Sequence, residues 1–349
     1  MKKNRYLHLL TLALLVFAAP SLLRAGDKKA VAAGYQFCLV LKQDGSLWAF
    51  GRNDDGQLGD GTTQFRSEPV KVLDHVRQMS AGLFFSMALL EDGTLWTWGY
   101  NNNGQLGDGT NTSRLRPQKI MDGISSIDAG SSHALAVGND GTLWAWGSNS
   151  LGQFGDGSDV YYSNVPVRVM TGVRLASAGY DWTAAVKTDG SLWVWGDYDS
   201  GYRDKGFPVI IQRRSPVKML DGVRQVSVGD SHILAVMVDG RLMAWGKNNC
   251  GQLGNGTIDR DMHNTPVKIM DGVDEACTGS FHSLVRRNDG SLWGWGDNND
   301  GQLGLGNLYN QLRPVRIAAK VGDFAAHGKV SLWITQAGEL KVTGKIIGY

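Results

Sequence analysis

One phrase, Asp-Gly-Ser/Thr-Leu-Trp-x-Trp-Gly, occurs in variant form seven times along this chain of 349 residues. Successive copies are 48, 48, 49, 50, 50 and 48 residues apart, and their first glycines are Gly45, Gly93, Gly141, Gly190, Gly240, Gly290 and, in a faded copy, Gly338. A period near 50 indicates repeated units that bury their hydrophobic faces only against their neighbours. Seven units of about four short strands fit a closed ring, which exposes few sheet edges. The sequence therefore predicts an all-β, seven-bladed β-propeller, mostly with four antiparallel strands per blade.

Four segments recur in each unit, and residue size predicts where each one lies in its blade. A segment ending in small residues, such as Ser80-Ala81-Gly82, suits the crowded centre of the ring. A short apolar strand follows, and an Asp-Gly pair then turns the chain into the Leu-Trp-x-Trp strand. A segment that begins with proline, such as Pro69–Val72, suits the outer edge, where a missing backbone donor costs least. The two tryptophans of a phrase share one strand face, so we expect both to point toward the same neighbouring blade.

The loop after the tryptophan strand repeats as well. It reads Asn-x-x-Gly-Gln-Leu-Gly-Asp-Gly-Thr over residues 101–110, with similar copies in four other units. Its glycines permit positive φ angles, and its Asn and Asp side chains can bond their own backbone. This pattern predicts a compact corner rather than a flexible loop.

The N-terminal segment differs from the repeats. A basic start is followed by an apolar run from Leu9 to Ala19, which is too short to span a bilayer well. Small residues at Ala18, Ala19 and Ala25 offer cleavage points. The pattern predicts a cleaved signal peptide over residues 1–25 and a single propeller over residues 26–349, exported to the periplasm or the extracellular space. The alternative is an uncleaved anchor or a buried helix.

The charge and the cysteine content of the sequence limit the classes of partner and the cysteine chemistry that we expect. Removal of residues 1–25 deletes four basic residues and no acid, so the formal charge falls from +2 to −2. Such a balance predicts no nucleic-acid partner and no membrane insertion once the signal peptide is cleaved. Three cysteines, Cys38, Cys250 and Cys277, leave at least one thiol free. We expect free cysteines that pack as small apolar residues rather than a disulfide.

The repeated motifs resemble those of the regulator-of-chromosome-condensation repeat family. The resemblance is carried by Ala-Gly-x-x-His-x-x-Ala at residues 129–136, by Asp-Gly-Thr-Leu-Trp-Ala-Trp-Gly at residues 140–147 and by the Gly-Gln-Leu-Gly-Asp-Gly-Thr loop. It covers about residues 29–344 and implies the seven-bladed propeller, but the family's members have several different activities. The chain departs from the pattern in its seventh unit, which lacks the Leu-Trp-x-Trp core and a following Pro-Val segment. We therefore expect either an incomplete seventh blade of three strands or a minimal outer strand formed by residues 345–349. The chain departs again in residues 197–215, where aromatic and basic residues replace the repeated loop.

The repeated polar residues are the candidates for metal binding or catalysis. His133, His232 and His282 occupy one repeat position that is aromatic or apolar elsewhere, so we expect packing or bridging between strands rather than a metal site. The repeated aspartates of the loop, such as Asp108, do not match the spacing of a calcium loop and predict Asx turns. No nucleophile motif is present, and we expect no enzymatic activity, no cofactor and no metal. The enzymatic alternative is a carboxylate pair that converges in the central tunnel or on one face of the ring.

Deviations from the repeat mark the candidate binding site. Two neighbouring units carry unusual loops, and the Tyr and Arg side chains found there dominate binding energies at many interfaces. The predicted partner-binding rim consists of Tyr161, Tyr162, Tyr198, Tyr202, Arg203 and Phe207. Simple drift in a surface loop would produce the same pattern.

These observations predict a secreted, monomeric propeller that binds another macromolecule, most simply a protein. One alternative is an extracellular enzyme inhibitor, as the resemblance to β-lactamase-inhibiting propellers suggests. Another is a propeller that binds or hydrolyses polysaccharide through exposed aromatic residues.

Overall fold

Twenty-seven strands make up the fold in the computed structural model, which describes residues 30–197 and 213–345. They form six four-stranded sheets and one three-stranded sheet, each ordered as the strands follow in the chain. The neighbouring strands pair antiparallel throughout. The described residues contain no helix. The predicted architecture is therefore confirmed.

Blades 1 to 3 contain the first twelve strands. They are β1 (Val31–Ala33), β2 (Phe37–Leu41), β3 (Leu47–Gly51), β4 (Arg66–Leu73), β5 (Val76–Ala81), β6 (Phe85–Leu90), β7 (Leu95–Gly99), β8 (Arg114–Met121), β9 (Ile124–Ala129), β10 (His133–Gly138), β11 (Leu143–Ser148) and β12 (Tyr162–Met170).

Blades 4 to 7 contain the remaining fifteen strands. They are β13 (Val173–Ala178), β14 (Trp182–Lys187), β15 (Leu192–Gly196), β16 (Arg213–Leu220), β17 (Val223–Val228), β18 (His232–Met237), β19 (Leu242–Lys247), β20 (Met262–Met270), β21 (Val273–Thr278), β22 (His282–Arg287), β23 (Leu292–Gly296), β24 (Gln311–Ala318), β25 (Val321–His327), β26 (Val330–Thr335) and β27 (Leu340–Gly344).

The first strand of every blade lines the axis of the ring. These seven inner strands contact one another in sequence, and β25 contacts β1, so the ring closes. They surround a central cavity of about 230 Å³. The outer strands carry the prolines, as the size and hydrogen-bonding arguments predicted. Blade 7 has three strands among the described residues.

The tryptophan strands join adjacent blades, as predicted. Trp98 is fully buried in the core between blades 1 and 2, with Trp96 half-buried beside it. Leu95 belongs instead to the core between blades 2 and 3. Large side chains therefore fill the space on both faces of each blade.

Ring closure depends on contacts between the two ends of the described chain. The core between blades 7 and 1 contains Val31 and Val40 from one side and Leu332 and Ile334 from the other. The carboxylate of Asp323 accepts hydrogen bonds from the backbone amides of Ala30 and, at 3.2 Å, of Val31. These contacts lock β1 against β25.

Candidate interaction face

The two ends of the ring differ in the segments that they carry. At the end of the inner strands lie short loops to the second strands and the long repeated loops between the third and outer strands. We name this end the loop rim; its loops begin at residues 34, 82, 130, 179, 229, 279 and 328 and at residues 52, 100, 149, 197, 248 and 297. The opposite end, the turn rim, carries the Asp-Gly turns and the connections between blades.

The repeated loops are compact corners held by their own hydrogen bonds, as predicted. The Asn101 side chain accepts a hydrogen bond from the Leu106 amide at 2.9 Å and donates one to the Thr110 carbonyl at 3.0 Å. The Trp146 indole of the next blade donates to the Gln105 carbonyl at 2.9 Å. Gly107 has a φ of 72°, and a Cβ there would lie 2.7 Å from that indole nitrogen. The same bond recurs from blades 2, 4, 6 and 7, so each of these blades holds the corner of the preceding blade.

The loop aspartates form Asx turns, as expected. Asp108 accepts hydrogen bonds from the amide and the hydroxyl of Thr110, at 3.0 and 2.7 Å. Its second carboxylate oxygen pairs with Arg114 at 2.7 Å. Both carboxylate oxygens are therefore used within the corner itself.

The three repeated histidines bridge neighbouring blades rather than gather around one point. The Nε2 atoms of His133, His232 and His282 lie 3.0, 2.7 and 2.8 Å from hydroxyls of Thr183, Ser283 and Ser331. Desolvation by burial lowers the pKa of each histidine to about 3. The expected bridging role is confirmed. Over residues 30–197 and 213–345, no cluster of three metal-ligating side chains occurs.

All three cysteines are free, as predicted. Cys38 and Cys277 are buried in strands, and Cys250 is half-buried in the corner of blade 5. Desolvation raises the pKa of Cys38 to about 12 and that of Cys250 to about 11. Thiols with such pKa values are poor nucleophiles at neutral pH.

Exposed apolar side chains concentrate on the loop rim. Thirteen large hydrophobic residues of the described chain are exposed, and nine of them lie in loop-rim loops or begin an outer strand there: Tyr35, Phe65, Val160, Tyr161, Tyr162, Tyr180, Ile258, Leu308 and Tyr309. Val238 is the one that lies at the turn rim. The two ends of the ring therefore differ in exposed apolar surface, and the loop rim carries most of it.

Two of the six predicted site residues lie in the described part of the chain. Tyr161 and Tyr162 stand at the end of the blade 3 corner, with exposed fractions of 73% and 49%. Tyr198, Tyr202, Arg203 and Phe207 lie outside the described residues. Arg214, which follows them, donates a hydrogen bond at 2.9 Å to the Ser158 carbonyl in the same corner. The chain after the unusual loop is thus tied back to the corner that presents the two tyrosines.

A second aromatic group on this rim was missed by the sequence interpretation. The rings of Tyr35 and Phe84 meet edge to face at 5.4 Å, and those of Phe84 and Tyr100 do so at 6.2 Å. The guanidinium carbon of Arg52 lies 5.1 Å from the Phe84 ring centroid and 5.9 Å from that of Tyr35. Its Nε also pairs with Asp54 at 2.7 Å. We name Tyr35, Arg52, Phe84 and Tyr100 the aromatic platform.

The platform is anchored by the backbone beneath it. The Tyr35 amide donates to the Leu83 carbonyl at 3.1 Å, and the Leu83 amide donates to the Ser131 carbonyl at 3.3 Å. These bonds join the short loops of three blades around the mouth of the cavity. Pre-ordered aromatic and arginine side chains lose little entropy on binding, which favours a contact surface.

Polar groups surround the mouth of the cavity on the same rim. Burial raises the pKa of Tyr180, and the nearby carboxylates of Asp181 and Asp230 raise it further. Asp230 accepts a hydrogen bond from the Ser280 hydroxyl, and burial raises the pKa of this carboxyl. Deeper in the cavity, Asp128 accepts hydrogen bonds from the Ser80 hydroxyl and the Ala178 amide, both at 2.9 Å. The hydrogen bonds of the Asp128 carboxylate therefore join neighbouring inner strands.

Comparisons with known proteins agree with this geometry. The family model described as RCC1-like domain matches residues 17–202. Two models of the regulator of chromosome condensation (RCC1) repeat match residues 223–252 and 274–302, and residues 239–285 and 289–332. The molecule is thus a propeller built from these repeats, and the chain belongs to the RCC1-like domain family. No curated protein sequence matches it.

Several solved structures share the fold. Human WBSCR16 is 24% identical with a TM-score of 0.74, over 91% of this chain and 86% of that one. Prp20p from Saccharomyces cerevisiae, a protein studied for its binding to Gsp1p and histones, is 22% identical with a TM-score of 0.74, over 90% and 81%. The ectodomain of the Arabidopsis thaliana receptor kinase ACR4 is 15% identical with a TM-score of 0.54, over 92% and 96%. At these identities the likeness establishes the fold.

Of the residues described, none belongs to an apolar helix of membrane-spanning length.

Proposed function

We propose that this chain is an exported propeller that binds another protein through its loop rim and does not catalyse a reaction. The observation that carries the proposal is the concentration of exposed aromatic residues on one end of a rigid ring. The corners are held by hydrogen bonds within each corner and from the next blade, so the surface is largely formed before the partner arrives.

The aromatic platform is the centre of this proposed surface. Tyr35 and Phe84 come from short loops, Arg52 and Tyr100 come from long corners, and all four meet between blades 1 and 2. Arginine stacked on aromatic rings gives a flat apolar surface with charged edges. Such a surface fits a protein that presents apolar side chains beside carboxylates.

The exported location rests on the sequence of residues 1–25, and we propose that the mature protein is a monomer. Cell fractionation of the native protein tests the exported location, and light scattering of the purified protein tests the monomeric state. A cytoplasmic fraction or a stable dimer would contradict the respective proposal.

Affinity capture with matched baits tests the binding surface. The baits are the wild-type protein, a platform variant with Tyr35→Ala, Phe84→Ala and Tyr100→Ala, and a turn-rim control with Val238→Ala and Asp122→Ala. We expect a partner from the native extracellular fraction whose affinity falls at least about 10-fold in the platform variant, because hot-spot truncations typically cost 2 kcal/mol or more. Each bait is first shown to melt like the wild type.

A fourth bait with Tyr161→Ala and Tyr162→Ala tests the site predicted from the sequence. If this bait loses the partner and the platform variant does not, the centre of the surface lies on blade 3. Equal capture by all baits contradicts the loop rim as the binding face. Titration calorimetry against cell-wall polysaccharide is the parallel test, and saturable binding there would favour a carbohydrate ligand instead.

An inhibitor would use the same surface. Once a captured partner is identified as an enzyme, its activity in the presence of wild-type and platform-variant protein separates inhibition from simple attachment.

A further inference from the structure

The aromatic platform carries hydrogen-bond donors that the fold does not use. Over residues 30–197 and 213–345, the hydroxyls of Tyr35 and Tyr100 make no hydrogen bond to another side chain or to the backbone. Arg52 gives its Nε to Asp54 at 2.7 Å, and its two Nη groups have no partner in the same part of the chain. The platform therefore offers two phenolic donors next to the apolar ring of Phe84, with a cation beside them.

The rings of the platform form two adjoining notches. The plane of Phe84 is inclined by 73° to that of Tyr35 and by 72° to that of Tyr100, so ring faces and ring edges alternate. The centroids of the two outer rings are at most about 12 Å apart, because successive centroids are separated by 5.4 and 6.2 Å. One turn of a polyproline II helix is about 9 Å long. The platform is therefore long enough for about four residues in that conformation.

The backbone beneath the platform argues against recognition of a β-strand. The Arg52 amide donates to the Gln36 carbonyl at 2.8 Å, and the Tyr100 amide donates to the Phe84 carbonyl at 2.9 Å. Strand addition needs free main-chain donors and acceptors, and these are already paired. A helix is also unsuitable, because its carbonyls bond its own amides and leave no acceptor for the phenolic hydroxyls. In polyproline II the backbone makes no internal hydrogen bonds, so its carbonyls are available.

We propose that the aromatic platform binds a proline-rich segment of the partner in the polyproline II conformation, with an acidic residue next to the prolines. This inference rests on the proposed function and names the chemistry of the segment that the loop rim recognises. The prolines pack against Phe84 and its neighbouring rings, while the hydroxyls of Tyr35 and Tyr100 donate to carbonyls of the segment. The acidic side chain pairs with the Nη groups of Arg52. A segment that is extended before it binds loses little conformational entropy.

Fluorescence polarisation with synthetic peptides tests this inference on the whole protein without a captured partner. Two labelled probes carry two glutamates either before or after six L-prolines, which covers both chain directions. The control peptides have the same composition but alternate L- and D-proline, so they cannot form the left-handed helix. We expect saturable binding of at least one L-proline probe and binding of its control that is at least about 10-fold weaker.

Ring-preserving substitutions separate hydrogen bonding from packing. Tyr35→Phe and Tyr100→Phe should each weaken binding of the L-proline probe roughly 2- to 10-fold, because each removes one hydrogen bond. Phe84→Ala should weaken it at least about 10-fold. The matched control is Tyr309→Phe on the blade 6 corner, where the tyrosine is 76% exposed, and it should leave the affinity unchanged. Each variant is first shown to melt like the wild type.

The role of Arg52 has its own comparison. Arg52→Gln should weaken binding of the glutamate probe roughly 2- to 5-fold, as expected for an exposed ion pair. The same substitution should not change the affinity for a probe whose glutamates are replaced by glutamines, and the four affinities together form a double-mutant cycle. An equal effect of Arg52→Gln on both probes contradicts the acidic residue in the proposed segment.

The outcomes separate this inference from the proposed function. Equal affinity for the L-proline probe and its control, no saturable binding up to about 1 mM, or unchanged affinity in all three ring variants overturns the polyproline inference. If the captured partner depends on the platform while no peptide binds, protein binding through the loop rim stands and the polyproline inference fails. If peptide binding depends on the platform and no partner is captured, the polyproline inference stands and the failure lies with the proposed function.

Discussion

Three buried histidines should make this propeller sensitive to acid. His133, His232 and His282 are fully buried, and each uses one ring nitrogen to bond a hydroxyl of the next blade. Desolvation holds the pKa of each at about 3 in the folded protein. In the unfolded chain a histidine titrates near 6.5.

The direction of the effect follows from proton binding. Below pH 6.5 the unfolded chain takes up a proton at each histidine, whereas the folded protein does so only near pH 3. The free energy of unfolding therefore falls as the pH drops from 6.5 toward 3. From pH 7.5 to pH 5.0 the loss is about 2 kcal/mol per histidine, or about 6 kcal/mol for the three.

Guanidinium unfolding at pH 7.5 and pH 5.0 measures this loss. The comparison protein carries His133→Phe, His232→Phe and His282→Phe, because Phe37 and Phe85 occupy the same repeat position in other blades. The wild type should lose about 6 kcal/mol more than this variant between the two pH values, and about 2 kcal/mol more than the single His133→Phe variant. Carboxylates titrate alike in all three proteins and cancel. Equal losses in the wild type and the triple variant would refute the assignment of acid sensitivity to these histidines.

Three other predictions concern stability and reactivity. His75 has a φ of 59° where four other blades have glycine, so His75→Gly should raise the free energy of unfolding by roughly 0.5–1 kcal/mol, and a lower melting temperature would contradict this. Asn101→Ala should cost roughly 2–3 kcal/mol in chemical unfolding because the corner loses buried hydrogen bonds, whereas the exposed neighbour Asn102→Ala should cost about 0.5 kcal/mol or less. Cys38 and Cys277 should resist alkylation in the folded protein and react fully in denaturant, and rapid labelling of the native protein would show that the ring opens.

Much of the fold could be predicted because a closed ring repeats one packing problem seven times. Small residues at Ser80 and Ala81 fit only near the axis, and Pro69 is tolerated only at an outer edge, so residue size and backbone chemistry order the strands. The paired tryptophans then identify the face that meets the preceding blade. These rules depend only on residues close in sequence, and the repeated units show the same pattern again and again.

Ring closure could not be predicted in the same way. The contact of Asp323 with the amides of Ala30 and Val31 joins residues nearly 300 positions apart and occurs once. The hydroxyl of Thr343 likewise takes the place of a tryptophan, donating to the Gln302 carbonyl at 2.9 Å as Trp295 donates to the Gln252 carbonyl. The seventh unit makes the same hydrogen bond with a threonine in place of the tryptophan. A search for the tryptophan motif therefore does not detect this bond.

The aromatic platform was missed for a related reason. Tyr35 and Phe84 occupy the two variable positions that follow the inner-strand glycine in each short loop, where the other blades have small or charged residues except for Tyr180 and Phe281. The sequence interpretation looked for variation in the long corners and found Tyr161 and Tyr162. A comparison of the short loops would have found Tyr35 and Phe84 together with Tyr180 and Phe281. The contact of Phe84 with Tyr100 depends on how the two blades are placed in the ring.

The most direct measurement of how this propeller works is hydrogen exchange with and without its captured partner. Our account predicts slower exchange in the short loops at residues 34–36 and 82–84 and in the corner at residues 100–113. Amides of the Asp-Gly turns on the opposite rim should exchange at unchanged rates. Protection confined to those turns, or to the outer strands, would contradict the loop rim as the face that binds.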